Sequence, residues 1–235
     1  SFLYDEDLRS FEANHENPTY IITDQQGKIR ATTSLILDDY NRRGRKARFR
    51  IFHSEIEDIE CYKSLMQAIL RHTEGLEKIF LFIPEANESL RKHIEELDFI
   101  VERYSYILLR DGLEVPEVKL PEEYSIRPLR LGEDEEAWCK VRNEGFAKLK
   151  GSETPMAPEN VVRMVSSDDN IEGGNMILYH KERPVGVVRA AKDEYEGLPT
   201  MNIGPLAIIP EYQGKGLGRL LLRTALNFAK EHSYE

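Results

Sequence analysis

The chain has 235 residues, 40% of them hydrophobic, and its 42 acidic and 32 basic residues give a formal net charge of −10. This charge argues against a nucleic-acid partner, because nucleic-acid surfaces neutralise phosphates with lysine and arginine. No apolar run approaches the roughly 20 residues that span a bilayer, and no signal-peptide pattern opens the chain; the two cysteines, Cys61 and Cys139, lie far apart and without clustered histidines. We therefore expect a cytoplasmic protein with no membrane segment, no disulfide framework and no metal site.

The first half of the sequence predicts strands and helices in a definite order. A hairpin is predicted over residues 19–37, a strand over 46–56 and a helix over 61–74. A strand over 77–85, a helix over 86–99 and a strand over 100–110 follow. The next segment, "DGLEVPEVKLPEE", is charged, contains prolines and shows neither helical nor strand periodicity, so it is predicted to be a linker.

The second half predicts a related order of elements. It begins with a strand over 123–130, a helix over 132–149, a shorter helix over 157–167 and a hairpin over 175–194. A strand over 200–209, a glycine-rich loop and a helix from about Gly216 to His232 follow. The two halves overlap in plan, which predicts an α/β protein with domains at 1–112 and 123–235 and a linker at 113–122. We expect the first domain to lack its start and the second its end, because the chain starts without Met and stops within a helical pattern.

The loop "QGKGLGR", residues 213–219, joins a strand to a helix and contains three glycines. Bare main-chain N–H groups at a helix N-terminus favour a phosphate ligand. The motif is not a P-loop, because Gly216 rather than Ser or Thr follows Gly214-Lys215, and it departs from the dinucleotide fingerprint at Arg219. A glycine-rich turn without a ligand remains the alternative.

The pattern Q-x-x-G-x-G after "LAIIPEY" resembles the coenzyme A signature of the GNAT (GCN5-related) N-acetyltransferase family. This resemblance implies two GNAT-like domains, each with a mixed, largely antiparallel sheet flanked by helices. It implies acetyl-CoA as cosubstrate, its pyrophosphate held by loop N–H groups and its pantetheine arm by the strand before the loop. The cofactor-binding residues would be Leu206, Ala207, Ile208, Gln213, Gly214, Lys215, Gly216, Leu217, Gly218 and Arg219.

The segment "NESLRKHIEELDF" resembles the later N-x-x-A…Y-x-x-x-GF segment of the same family, with Asn87 and Phe99 kept. Ile94 stands where Tyr is usual and Asp98 where Gly is usual, so the first half resembles the family in a degenerate form. Laying "SLMQAIL" on "RLLLRTAL" places Glu57, Asp58, Glu60 and Tyr62 at the loop positions, with no glycine. Carboxylates there would repel a pyrophosphate. One silent and one working half is an arrangement similar to that of tandem-domain GNAT proteins of the mycothiol synthase type.

The predicted function is that of a GNAT-type acyltransferase, an enzyme that moves an acetyl group from acetyl-CoA to a primary amine by direct attack. N–H groups near Leu206 to Ile208 would stabilise the oxyanion, and Asn202 and Gly204 are candidate acceptor-facing residues. The resemblance places the thiolate acid beyond Glu235, and the general base is not assigned. The acceptor would be a small-molecule amine or a peptide, and the oligomeric state is open. The alternative is a non-catalytic acyl-CoA-binding or scaffold protein.

Overall fold

The computed structural model describes residues 11–110, 112 and 114–234. The chain divides after Tyr106 into two compact units, each built on a four-stranded sheet. Within the described ranges, no helix is long and apolar enough to cross a membrane. Those ranges also contain no group of three or more His, Cys, Asp or Glu side chains that could hold a metal ion. The domain limits 1–112 and 123–235 and the linker between them stay predictions.

The first unit has a mixed sheet in the order β1-β2-β3-β4. Its strands are β1 (Thr19–Thr23), β2 (Ile29–Ile36), β3 (Lys46–Ser54) and β4 (Lys78–Phe80), and its helices are α1 (Asp39–Arg43), α2 (Ile59–Leu70) and α3 (Glu88–Glu95). All neighbours are antiparallel except β3 and β4, which pair in parallel over three residues. The core includes a run of aromatic rings, in which Phe52 lies 5.3 Å from Tyr62 and Tyr62 stacks on His93 at 4.9 Å.

The predicted strand over residues 100–110 is wrong, because this segment forms neither strand nor helix. Its apolar composition suits a strand, but a strand needs a neighbour, and no described strand pairs with it. The apolar side chains consequently lie in solvent, with Ile100 88% exposed and Leu108 90% exposed.

The second unit has an antiparallel sheet in the order β5-β6-β7-β8. Its strands are β5 (Tyr124–Pro128), β6 (Asn175–His180), β7 (Arg183–Tyr195) and β8 (Leu198–Ile208). The helices are α4 (Glu135–Phe146), α5 (Pro158–Val165) and α6 (Leu217–Glu231), and a 3₁₀ turn, Pro210–Tyr212, follows β8. Trp138 of α4 and Leu221 of α6 are fully buried in one hydrophobic cluster that includes the sheet residues Ile177 and Val187. Two sheets flanked by helices confirm the predicted fold class.

Candidate active site

Strand β8 lies at the edge of its sheet, so only one side of its main chain pairs with a described strand, β7. The N–H of Ile209 donates to the carbonyl of Val185 at 3.0 Å. Hydrogen-bonded pairs alternate along an antiparallel ladder, so Ala207 also directs its N–H and C=O toward β7. Leu206 and Ile208 consequently direct theirs toward the open edge.

The side chain of Gln213 covers part of that open edge. Its Nε2 donates to the main-chain carbonyl of Ile208 at 2.8 Å, so this carbonyl is already satisfied. Of the three strand residues predicted to bind the cosubstrate, Ala207 is committed to β7. The open edge therefore offers the N–H and C=O of Leu206 and the N–H of Ile208.

The backbone explains two of the three loop glycines but not the third. Gly214 and Gly216 have φ angles of 75° and 80°, and a Cβ at either would meet nothing within 4 Å. The left-handed backbone, rather than a lack of space, thus requires glycine at both positions. Gly218 is the second residue of α6 and has no positive φ, and the nearest neighbour of an added Cβ would be Leu206 Cδ2 at 3.7 Å. Neither its backbone nor its packing requires glycine.

The loop supplies a row of free donors. The first hydrogen bond that enters α6 runs from the N–H of Leu220 to the carbonyl of Gly216 at 3.1 Å. The N–H groups from Gly214 to Arg219 precede it, and in the part of the chain that the structure describes none of them has an acceptor. The N-terminus of a helix carries about +0.5 elementary charge, and Lys215 and Arg219 add exposed cations. These donors suit a diphosphate.

Helix α4 approaches β8 closely at Gly145, a residue that sequence reasoning missed. A Cβ there would lie 3.0 Å from Ala207 Cβ and 3.1 Å from the carbonyl oxygen of Ile208. Glycine is otherwise unfavourable inside a helix by about 1 kcal/mol. A glycine within an amphipathic helical pattern is the signal that could have pointed to this contact.

The predicted acceptor residues are not brought into contact with the loop. The exposed Asn202 donates through Nδ2 to Asp193 Oδ2 at 3.0 Å, across the β7–β8 hairpin. Gly204 falls in an irregularity of the β7–β8 register, which shifts between Val188 and Ala190. Their role in acceptor binding stays a prediction.

Two further groups are held in the core of this unit. Asp134 precedes α4 and accepts from Nε of Arg130 at 2.9 Å, and this bond holds the pKa of the carboxyl below its ordinary value. Burial raises the pKa of Tyr179, whose hydroxyl lies 3.5 Å from the same carboxylate. Cys139 is buried at 6% exposure, which is a poor position for a nucleophile.

The corresponding junction of the first unit is built differently. Helix α2 begins at Ile59 with Asp58 as its N-cap, whereas α6 begins at Leu217 with Gly216 as its N-cap. The overlay drawn from the sequence pairs Leu65 with Leu221 and Ile69 with Ala225. All four side chains are buried, so the overlay matches the buried faces of the two helices, and α2 begins two residues earlier than α6 does. Tyr62, which that overlay placed on Gly218, lies inside α2 and is 5% exposed in the core. Asp58 Oδ1 accepts the N–H of Glu60 at 3.0 Å, so this helix is capped by its own carboxylate.

Parts of this chain are similar in sequence to known proteins. Residues 136–235 match the sequence model of the acetyltransferase (GNAT) family. Mycothiol acetyltransferase from Kytococcus sedentarius is 30% identical over 122 residues, which are 52% of this chain and 41% of that protein. The enzyme of the same name from Acidothermus cellulolyticus is 26% identical over 180 residues, 71% of this chain and 54% of that protein. The chain thus spans about half the length of these curated relatives.

A solved structure resembles the whole chain. The crystal structure of a GCN5-related N-acetyltransferase from Sphaerobacter thermophilus superposes with a TM-score of 0.67 at 16% identity. The match covers 98% of this chain and 72% of that one, which shows that the two proteins share a fold.

Proposed function

We propose that the chain is an N-acetyltransferase that transfers an acetyl group from acetyl-CoA to a primary amine, because residues 136–235 match the sequence model of the GNAT acetyltransferase family. The observation that carries this proposal is Gly218. The backbone explains Gly214 and Gly216, so a turn without a ligand could account for both. Gly218 instead occupies a helical position where alanine would be more favourable by up to about 1 kcal/mol. An empty position beside free N–H donors serves a bound ligand.

The diphosphate and the pantetheine arm would occupy adjacent surfaces. The N–H groups of residues 214–219 would hold the diphosphate, with Lys215 supplying a cation. Gly218 lies beside Leu206, so the loop leads directly to the open edge of β8. There the arm's amide groups would pair with the main chain as an added strand does.

The main-chain N–H groups at the open edge of β8 suit direct transfer of the acetyl group to the amine. The neutral amine attacks the thioester carbonyl carbon, the new C–N bond forms, and the nitrogen gives up one proton. The C–S bond breaks, and the sulfur leaves as a thiolate that takes up one proton, so that the products are the amide and free CoA. Negative charge develops on the carbonyl oxygen during the attack. The N–H groups of Leu206 and Ile208 face the open edge and are the donors that β8 offers for this charge and for the arm.

The acceptor is proposed only as a class, the primary amine of a small molecule or a peptide. The two curated relatives carry the name mycothiol acetyltransferase, which makes mycothiol-related amines the first pool to test. The buried Cys139 supports transfer without an acyl-enzyme.

The deciding experiment is an incubation of the chain with acetyl-CoA and separate pools of amines. We expect release of free CoA that depends on the amine, together with one equivalent of N-acetylated product by mass spectrometry. Acetyl-CoA binding without amine-dependent CoA release from any pool would instead support the non-catalytic acyl-CoA-binding or scaffold protein.

A further inference from the structure

Tyr212 stands directly before the glycine loop and is held at its hydroxyl. Its Oη lies 2.9 Å from Nδ1 of His180, the last residue of β6. The His180 ring is itself fixed, because it stacks on Tyr124 at 4.6 Å and its Nε2 lies 3.5 Å from a carboxylate oxygen of Glu123. Lys181 hydrogen-bonds Glu123 and lowers the pKa of that carboxyl. The hydroxyl of Tyr212 is thus tied to the sheet.

The ring of Tyr212 also makes a cation–π contact. Nζ of Lys215 lies 4.6 Å from the ring centroid. Arg183 approaches the same ring at 5.6 Å, but Glu211 neutralises it in an ion pair of 2.9 Å. Lys215 makes no ion pair with any residue in the described ranges, so its charge remains for a ligand.

The glycine loop needs contacts with neighbouring residues in order to be ordered before the ligand binds. Glycine loses more conformational freedom on ordering than any other residue, and two of the three residues from Gly214 to Gly216 are glycine. Donors that are ordered only when the ligand arrives lower the affinity, because ordering opposes binding. The free stretch is short, since Tyr212 and Gln213 hold its start and Leu217, 3% exposed, holds its end.

We propose that Tyr212 is a positioning residue for the diphosphate of acetyl-CoA. Its hydroxyl bond to His180 orders the start of the loop, and its ring holds the Lys215 ammonium beside the free N–H groups. This role rests on the proposed function, because it concerns the same cosubstrate. It places the effect of Tyr212 on binding of the diphosphate and not on the pantetheine arm.

The first test is Tyr212→Phe, which removes the hydroxyl and keeps the ring. Calorimetry should show the Kd of acetyl-CoA rising about three- to tenfold, the range expected for one lost hydrogen bond. The Kd of adenosine 3′-phosphate 5′-diphosphate should rise by the same factor. Binding of S-acetylpantetheine, which lacks the diphosphate, should not change in a ligand-observed NMR titration. The control Tyr195→Phe removes a hydroxyl at the end of β7 and should leave all three affinities unchanged.

The second test addresses the ring. Tyr212→Leu should weaken acetyl-CoA binding more than Tyr212→Phe does, and this additional loss should disappear when Lys215→Ala is already present. If the two substitutions instead weaken acetyl-CoA binding by independent factors that multiply, the proposal that the Tyr212 ring holds Lys215 would be overturned. Equal affinities of Tyr212→Phe and the wild type, or an equal loss for S-acetylpantetheine, would overturn the positioning role while leaving the proposed function standing. A wild-type chain that binds no acetyl-CoA would overturn both.

Discussion

Substituting Gly218 by alanine should raise stability while lowering acetyl-CoA affinity. The new Cβ would meet only Leu206 Cδ2, at the ordinary contact distance of 3.7 Å, so no clash opposes it. Alanine is favoured over glycine in a helix by about 0.5–1 kcal/mol. For a unit of this size we expect the melting temperature to rise by about 2–5 °C.

The same methyl group would stand where the diphosphate is proposed to meet the N–H groups of α6. We expect the Kd of acetyl-CoA, measured by calorimetry, to rise at least tenfold, which corresponds to about 1.4 kcal/mol. A variant that is more stable yet binds less tightly cannot be explained by damage to the fold. Unchanged affinity in Gly218→Ala would refute the assignment of this helix N-terminus to the diphosphate.

Gly216→Ala provides the contrasting control. Its φ of 80° is unfavourable for any residue with a Cβ, by roughly 1–2 kcal/mol. This variant should therefore lose stability and affinity together. The opposite stability changes at two glycines only two residues apart separate a backbone requirement from a ligand requirement.

Three further outcomes are expected. Asp134→Asn should lower the melting temperature at pH 7, because Arg130 lowers the pKa of Asp134. A carboxylate with a lowered pKa stabilises the fold above its unfolded pKa of about 4. In a pH series, the difference in melting temperature from the wild type should therefore shrink as the pH falls below about 4. Gly145→Ala should destabilise the second unit in thermal unfolding, since its Cβ would lie 3.1 Å from the carbonyl oxygen of Ile208. Calorimetry should give one acetyl-CoA per chain, unaffected by Glu60→Gln; a stoichiometry near two would contradict a silent first unit.

The sequence predicted the elements around the glycine loop well because their signals are local. Strand β8, the loop and α6 follow one another directly, and an apolar run, glycines and helical periodicity mark them in order. The strand predicted over 100–110 failed because pairing depends on a distant neighbour that composition does not reveal. The short helix α1 was likewise missed, since its five residues are too few for a helical period to show.

The side-chain contacts that shape the site could not be read from spacing. Gln213 was predicted from its motif, but its bond to Ile208 depends on how the turn folds back on β8. The link from Tyr212 to His180 joins residues 32 positions apart. The overlay of the two halves matched the buried faces of the helices, but it did not reveal the earlier start of α2, which depends on the Asp58 cap.

In the first unit, the N-terminus of α2 is occupied by the carboxylate of Asp58, which belongs to the chain itself and cannot diffuse away. An aspartate bonded two residues along its own chain is present at an effective concentration that dissolved phosphate does not match. Introducing glycines into this turn would consequently not create an anion site while Asp58 remained. Gly216, by contrast, leaves the N-terminus of α6 without a side chain, so its N–H groups stay open to a dissolved ligand.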